Sequence, residues 1–194
     1  MVTVERVLPG RVRVEVLVVG ARDGAVHYRP VDGELPAGAH PDATATALAA
    51  SLVNARPVAV PDGLGGAQCD GPQPVWAPPP LTMLHSTSWR YAAGAVVLTY
   101  VAVFDGAPPP GATVLGPHGI AHSGDPAAPS PPYVCADAVA AHAMRHVAWL
   151  RGADEVAATA LARLPGLWRA LDGYVPAPAG GFAPAGPVSA HRPG

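Results

Sequence analysis

Along residues 11–19, Val12, Val14, Val16 and Val18 alternate with Arg11, Arg13, Glu15 and Leu17, a period-two pattern that predicts a strand with one buried face. Asp23-Gly24 supplies a tight turn, and residues 25–29 then read as the return strand of a hairpin. After a loop containing Gly and Pro, Ala45, Leu48, Ala49, Leu52 and Val53 recur at intervals of three and four. That spacing predicts a short helix over 42–53, capped by Asp42 and ended by Pro57. Residues 58–60 can add a short strand. Residues 61–80 hold so many glycines and prolines that they read as a long loop, with Trp76 as its anchor.

A second hairpin is expected from residues 81–91 and 95–104 around Ala92-Ala93-Gly94. Its later strand, with Val96, Val97, Leu98, Tyr100, Val101, Val103 and Phe104, is apolar on both faces, which places it at the sheet centre. Pro108-Pro109-Pro110-Gly111 breaks the pattern, and another loop reaches residue 132. Helices follow over 133–151 and 153–164, with a short one from Pro165, a residue suited to a first helical turn. From 176 to 194 the chain has scarcely any large apolar side chain to offset its ordering entropy, so a disordered tail is expected. The fold class that follows is α+β, with a mixed or antiparallel sheet, a short helix after the 35–38 loop and a C-terminal helical layer. One domain is expected over 1–175, with the tail over 176–194.

Composition narrows the function classes. Hydrophobic residues make up 49% of the chain and charged residues 13%, which excludes a wholly disordered protein, while 22 Gly and 25 Pro call for long connections. A net charge of −2 without any basic run lacks the electrostatic footprint of nucleic-acid binding. The N-terminus has no charged segment followed by an apolar one, and no apolar run approaches the roughly 18 residues of a membrane span, so the expected compartment is the cytoplasm. All 12 basic residues are Arg and none is Lys, which fits the coding bias of a GC-rich bacterial genome. Cys69 and Cys135 form no CxxC motif and read as two free thiols, with one disulfide as the alternative.

The order hairpin, Leu35-Pro36-Ala37-Gly38, helix, loop, hairpin and C-terminal helix resembles the Nudix hydrolase superfamily, and residues 98–103 look like its later core strand. The resemblance implies a Leu-Pro-x-Gly loop leading into a helix whose carboxylates hold magnesium against a diphosphate. At the family spacing, Thr44 stands where the first Glu belongs, Leu52 at the Arg, and Val53, Arg56 and Pro57 at the remaining Glu positions. Asp42 is the only acid between Leu35 and Pro61. The expectation is a Nudix-like module without that hydrolysis and without a cofactor.

Residues 85–91 carry the densest set of hydrogen-bonding side chains. Strict alternation puts His85, Thr87, Trp89 and Tyr91 on one face and Ser86, Ser88 and Arg90 on the other. Arg90 with the two serine hydroxyls suits an anion, and the aromatic rings suit a stacked base. His85, Ser86, Ser88, Trp89 and Arg90 are therefore the candidates for a small anionic or nucleotide-like ligand. No Gly-x-Ser-x-Gly elbow supports a serine triad. The alternative is a metal-dependent hydrolase. His142 and His146 lie at i and i+4 on one helix, and His118 and His122 repeat that spacing in a loop. Cys135 would sit roughly 10 Å along the axis from His142, too far to share the ion, and no Glu follows the first histidine as HExxH requires. The favoured expectation is partly buried histidines with no bound metal. A third reading is a subunit whose apolar surface pairs with a second copy or with another protein.

Overall fold

The computed structural model describes residues 10–53, 80–116 and 134–178. Among them the chain forms β1 (Arg11–Arg22), β2 (Ala25–Glu34), α1 (Pro41–Val53), β3 (Leu81–Ala92), β4 (Ala95–Phe104), β5 (Thr113–Val114), α2 (Ala136–Ala153), α3 (Glu155–Ala162) and α4 (Pro165–Ala170). A single 3-10 turn over Leu171–Gly173 follows.

Both hairpins close through two-residue loops of left-handed backbone, Asp23 and Gly24 at φ 53° and 77°, Ala93 and Gly94 at φ 50° and 76°. Such turns match the twist of the flanking strands. The hairpins are joined by parallel pairing of β1 with β4, and the sheet runs β3-β4-β1-β2-β5. A parallel pair needs a long connection, and residues 23–94, with β2, α1 and β3 among them, lie between these two strands. The centre is therefore β1, and β4 lies one strand from the edge, a shift from the expected placement.

Helices cover the sheet on both faces, which explains why its inner strands are apolar throughout. Val14, Val16 and Val18 of β1, with Tyr100 and Ala102 of β4, pack under Ala45, Ala49 and Leu52 of α1. Leu17 and Val19, with Val101 and Val103, pack under Met144 and Val147 of α2 and Leu161, Leu167 and Leu171 beyond it. The C-terminal helices thus form one layer, and α1 forms the other. Each layer is tied at its helix N-terminus by a sheet tyrosine. Tyr100 Oη donates to Asp42 Oδ1 at 2.7 Å, and Tyr28 Oη donates to Asp137 Oδ1. Burial first, then the accepting carboxylate, pushes both phenols up to about 12.

Several boundaries move. Pro41 is the first residue of α1, as its fixed φ favours, so His40 takes the preceding place and Asp42 binds Tyr100 instead of capping. β2 continues to Glu34, and β5 lies within the stretch expected as loop. Cys135 is an exposed free thiol just before α2. Ala177, inside the expected tail, is buried and donates its N–H to the Arg145 carbonyl at 3.1 Å. Residues 58–60, Cys69, Trp76 and positions 179–194 lie outside the described residues. Among the described residues, no helix is long and apolar enough to cross a membrane.

Candidate functional site

The polar run of β3 is organised by one extra residue. Ser86 lies opposite Tyr100 while Ser88 lies opposite Thr99, so Thr87 is inserted as a bulge. Its side chain is buried, and Thr87 Oγ1 donates to the Thr99 carbonyl at 3.2 Å. Residues opposite one another share a face. His85, opposite Val101, therefore points to the α2 side, and beyond the bulge so do Ser88 and Arg90, opposite Thr99 and Val97. Ser86, Trp89 and Tyr91 point to the α1 side. Strict alternation had joined His85 to Trp89, and Arg90 to Ser86. The insertion reverses the phase and separates both pairs.

Arg90 is engaged within the fold. Its two terminal nitrogens donate to the two carboxylate oxygens of Glu15, each at 2.8 Å, and Nη1 also donates to Thr99 Oγ1 at 2.9 Å. The Thr99 hydroxyl donates in turn to Glu15 Oε2 at 3.2 Å. A fork-on-fork pair of this kind is a strong, oriented contact. It links β3, β4 and β1 into a locally neutral unit, and an anion arriving at Arg90 competes with Glu15. The five candidate residues thus divide, with His85, Ser88 and Arg90 on one side and Ser86 and Trp89 on the other.

His85 meets a partner that spacing did not indicate. Its Nε2 lies 3.0 Å from His146 Nε2, so one neutral ring donates to the other, and the rings stack with centroids 5.1 Å apart. His146 stacks further on Trp149 at 5.6 Å. Burial and the facing His85 lower the His146 pKa, with a smaller repulsion from His142; the Ala177 backbone acts in the opposite direction. Although Ala177 favours the charged ring, His146 Nδ1 makes no hydrogen bond of normal geometry. His142 is lowered by burial and by Arg145, and its buried Nδ1 also lacks a partner. His118 and His122 lie outside the described residues. Among the described residues, no three or more His, Cys, Asp or Glu side chains gather as a metal site.

The outer side of β3 carries the most exposed aromatic surface of the sheet. Nothing among the described residues pairs with that edge, and Trp89 and Tyr91 are each 72% exposed. The two-residue turn makes Ala92 and Ala95 the closely hydrogen-bonded pair, so alternation directs the N–H and C=O of Tyr91 and Trp89 away from β4. Two aromatic side chains and two sets of free backbone groups coincide. In the sequence, Trp89 and Tyr91 two residues apart beside a turn are visible, but their place at an open edge is not. A separate cleft of about 240 Å³ opens at the C-terminal ends of β1 and β4, between Phe104, Asp105, Arg163 and Leu164; of these four, the sequence pattern marks Phe104 alone, as an apolar strand residue and not as part of a site. Compared with protein-family models, with curated proteins and with solved structures, the chain has no significant match.

Proposed function

We propose that this chain is a non-catalytic interaction module that receives a strand of a protein partner along β3. The observation that carries the reading is the coincidence, at Trp89 and Tyr91, of outward backbone donors and acceptors with rings 72% exposed. Strand addition draws affinity from main-chain hydrogen bonds and specificity from side chains on alternate positions, and Trp and Tyr supply large contact area. The Glu15–Arg90–Thr99 unit holds this segment rigid from its other face. The Nudix-like reading accords with such a role, because the helix that would need several carboxylates offers only Asp42, which Tyr100 occupies. Placing a photoreactive amino acid at Trp89 in the producing cell tests it, with Val156, 81% exposed on α3, as the control position. Discrete adducts at position 89 alone are expected. Equal labelling at both positions, or none at either, removes the reading.

A second reading takes the His85–His146 pair as metal ligands, in place of His142 with His146. Two Nε2 atoms 3.0 Å apart are close to the separation of imidazoles sharing an ion at bonds of about 2.0–2.1 Å. Thermal denaturation with added zinc or nickel tests it, since an ion bound only by the folded chain raises stability. The rise must vanish in His85→Ala. An unchanged midpoint in the parent protein ends the hydrolase alternative.

A further inference from the structure

Resting on the strand-addition reading, we infer that the strand received by β3 is β3 of a second copy, paired antiparallel about a two-fold axis at Arg90. Antiparallel pairing forms its close hydrogen-bonded pairs between residues that both present backbone groups to the shared edge. Trp89 and Tyr91 meet that condition and lie symmetrically about Arg90. Rotation about the axis sets Trp89 of each copy opposite Tyr91 of the other, giving two identical hydrogen-bonded pairs. All four exposed rings then meet as cross-strand aromatic pairs on the α1 side, the arrangement that gains most from such neighbours.

Charge does not oppose pairing with a second copy. Among residues 81–92, Arg90 alone carries a fixed charge, and two such residues meet on the axis. The bidentate Glu15 and the Thr99 hydroxyl neutralise each guanidinium within its own chain, on the side away from the aromatic rings. The like-charge penalty that opposes self-pairing is thereby removed before the copies meet. The geometry also closes. The bulge at Thr87 ends regular pairing after a few residues, and among the described residues joining two β3 edges leaves the β2–β5 edges outside. The assembly is a dimer, with ten strands among the described residues, rather than a growing sheet.

Sedimentation of the full chain over a wide concentration range, with residue-resolved hydrogen exchange, tests this. We expect a species of two chains in which the Trp89 and Tyr91 amides are protected. Trp89→Arg should convert it to a monomer with fast exchange at those amides, and the strand-compatible Trp89→Thr should weaken association at least about tenfold. The photo-cross-linked adduct at position 89 should have the mass of two chains. A monomer at every concentration overturns the inference, as does a dimer indifferent to Trp89→Arg. If the pure chain is monomeric while the adduct contains a different protein, the self-pairing fails and the interaction module stands. A monomeric chain that gives no adduct removes both.

Discussion

The two edges of this sheet differ in how their backbone groups are covered. On the β2 side, β5 covers His27 and Tyr28, Pro30 withholds a donor, and Asp32 and Glu34 bring charge, Asp32 in a direct hydrogen bond from Arg13 and Glu34 3.9 Å from Arg11. Proline, charge and a short covering strand are the usual protections of an edge. The β3 side has none of these along residues 88–92, where the lone charge faces inward to Glu15 and the exposed side chains are aromatic. The same hydrophobic core lies beneath both edges. What differs is the availability of backbone groups, and on the proposed reading that decides which edge takes a partner.

The largest expected effect comes from removing the bulge. Deleting Thr87 should restore simple alternation from Met83 to Tyr91, leaving the separate shift between Leu81 and Met83, and turn residues 83–86 over, taking Met83 and His85 off the α2 side while the exposed pair beyond stays in place. A loss of about 3 kcal/mol or more is expected by chemical denaturation. A loss under about 1 kcal/mol would mean that the insertion does not set the phase of this strand.

Next in size is the contrast between the two ion pairs. Glu15→Gln leaves the Arg90 guanidinium, whose side chain is 26% exposed, without its counter-charge, and should cost about 2 to 3 kcal/mol. Asp32→Asn on the β2 edge touches a pair whose side chains are 43% and 47% exposed, and should change stability by less than about 0.5 kcal/mol. Equal costs would erase the distinction between a rigid docking edge and a merely solvated one.

Much of the frame was legible because it depends on local period. The alternation of Val12 to Val18, the glycine turns at 24 and 94, and the helices of the C-terminal half are written in neighbouring residues. Long-range pairings were not. Nothing near Arg90 names Glu15, 75 positions away, and nothing near His85 names His146, 61 positions away. Thr87 is invisible for another reason: in a run of polar residues, an extra one leaves no break in the hydrophobic pattern. The parallel contact of β1 with β4 likewise follows from how the crossover closes, not from either strand alone.

A smaller effect separates the edges by pH. His146 ties β3 to α2, and burial lowers both His146 and His142 below the ordinary 6.5. As pH falls below that value the unfolded chain takes up protons first, so stability declines on acidification until the folded histidines protonate as well. Each can contribute a slope of up to about 1.4 kcal/mol per pH unit within that window. Denaturation midpoints measured between about pH 8 and pH 5 should fall, and His146→Gln should flatten the decline. A profile unchanged by that substitution would show that the histidine link to α2 does not carry the pH dependence.

The smallest expected effect concerns the turns that feed the edges. Asp23 and Ala93 occupy the same left-handed position, at φ 53° and 50°. Asp tolerates that backbone through its short polar side chain, whereas Ala has nothing to offset the crowding of its Cβ. Ala93→Asn should therefore stabilise the chain by about 0.5 to 1 kcal/mol, while Asp23→Ala should destabilise it by a similar amount. Because Ala93 precedes Gly94 and lies just past Tyr91, the gain should appear in the stability of the monomeric Trp89→Arg background as well. A gain seen only in the associated form would mean that pairing across β3, rather than the isolated hairpin, holds this turn in shape.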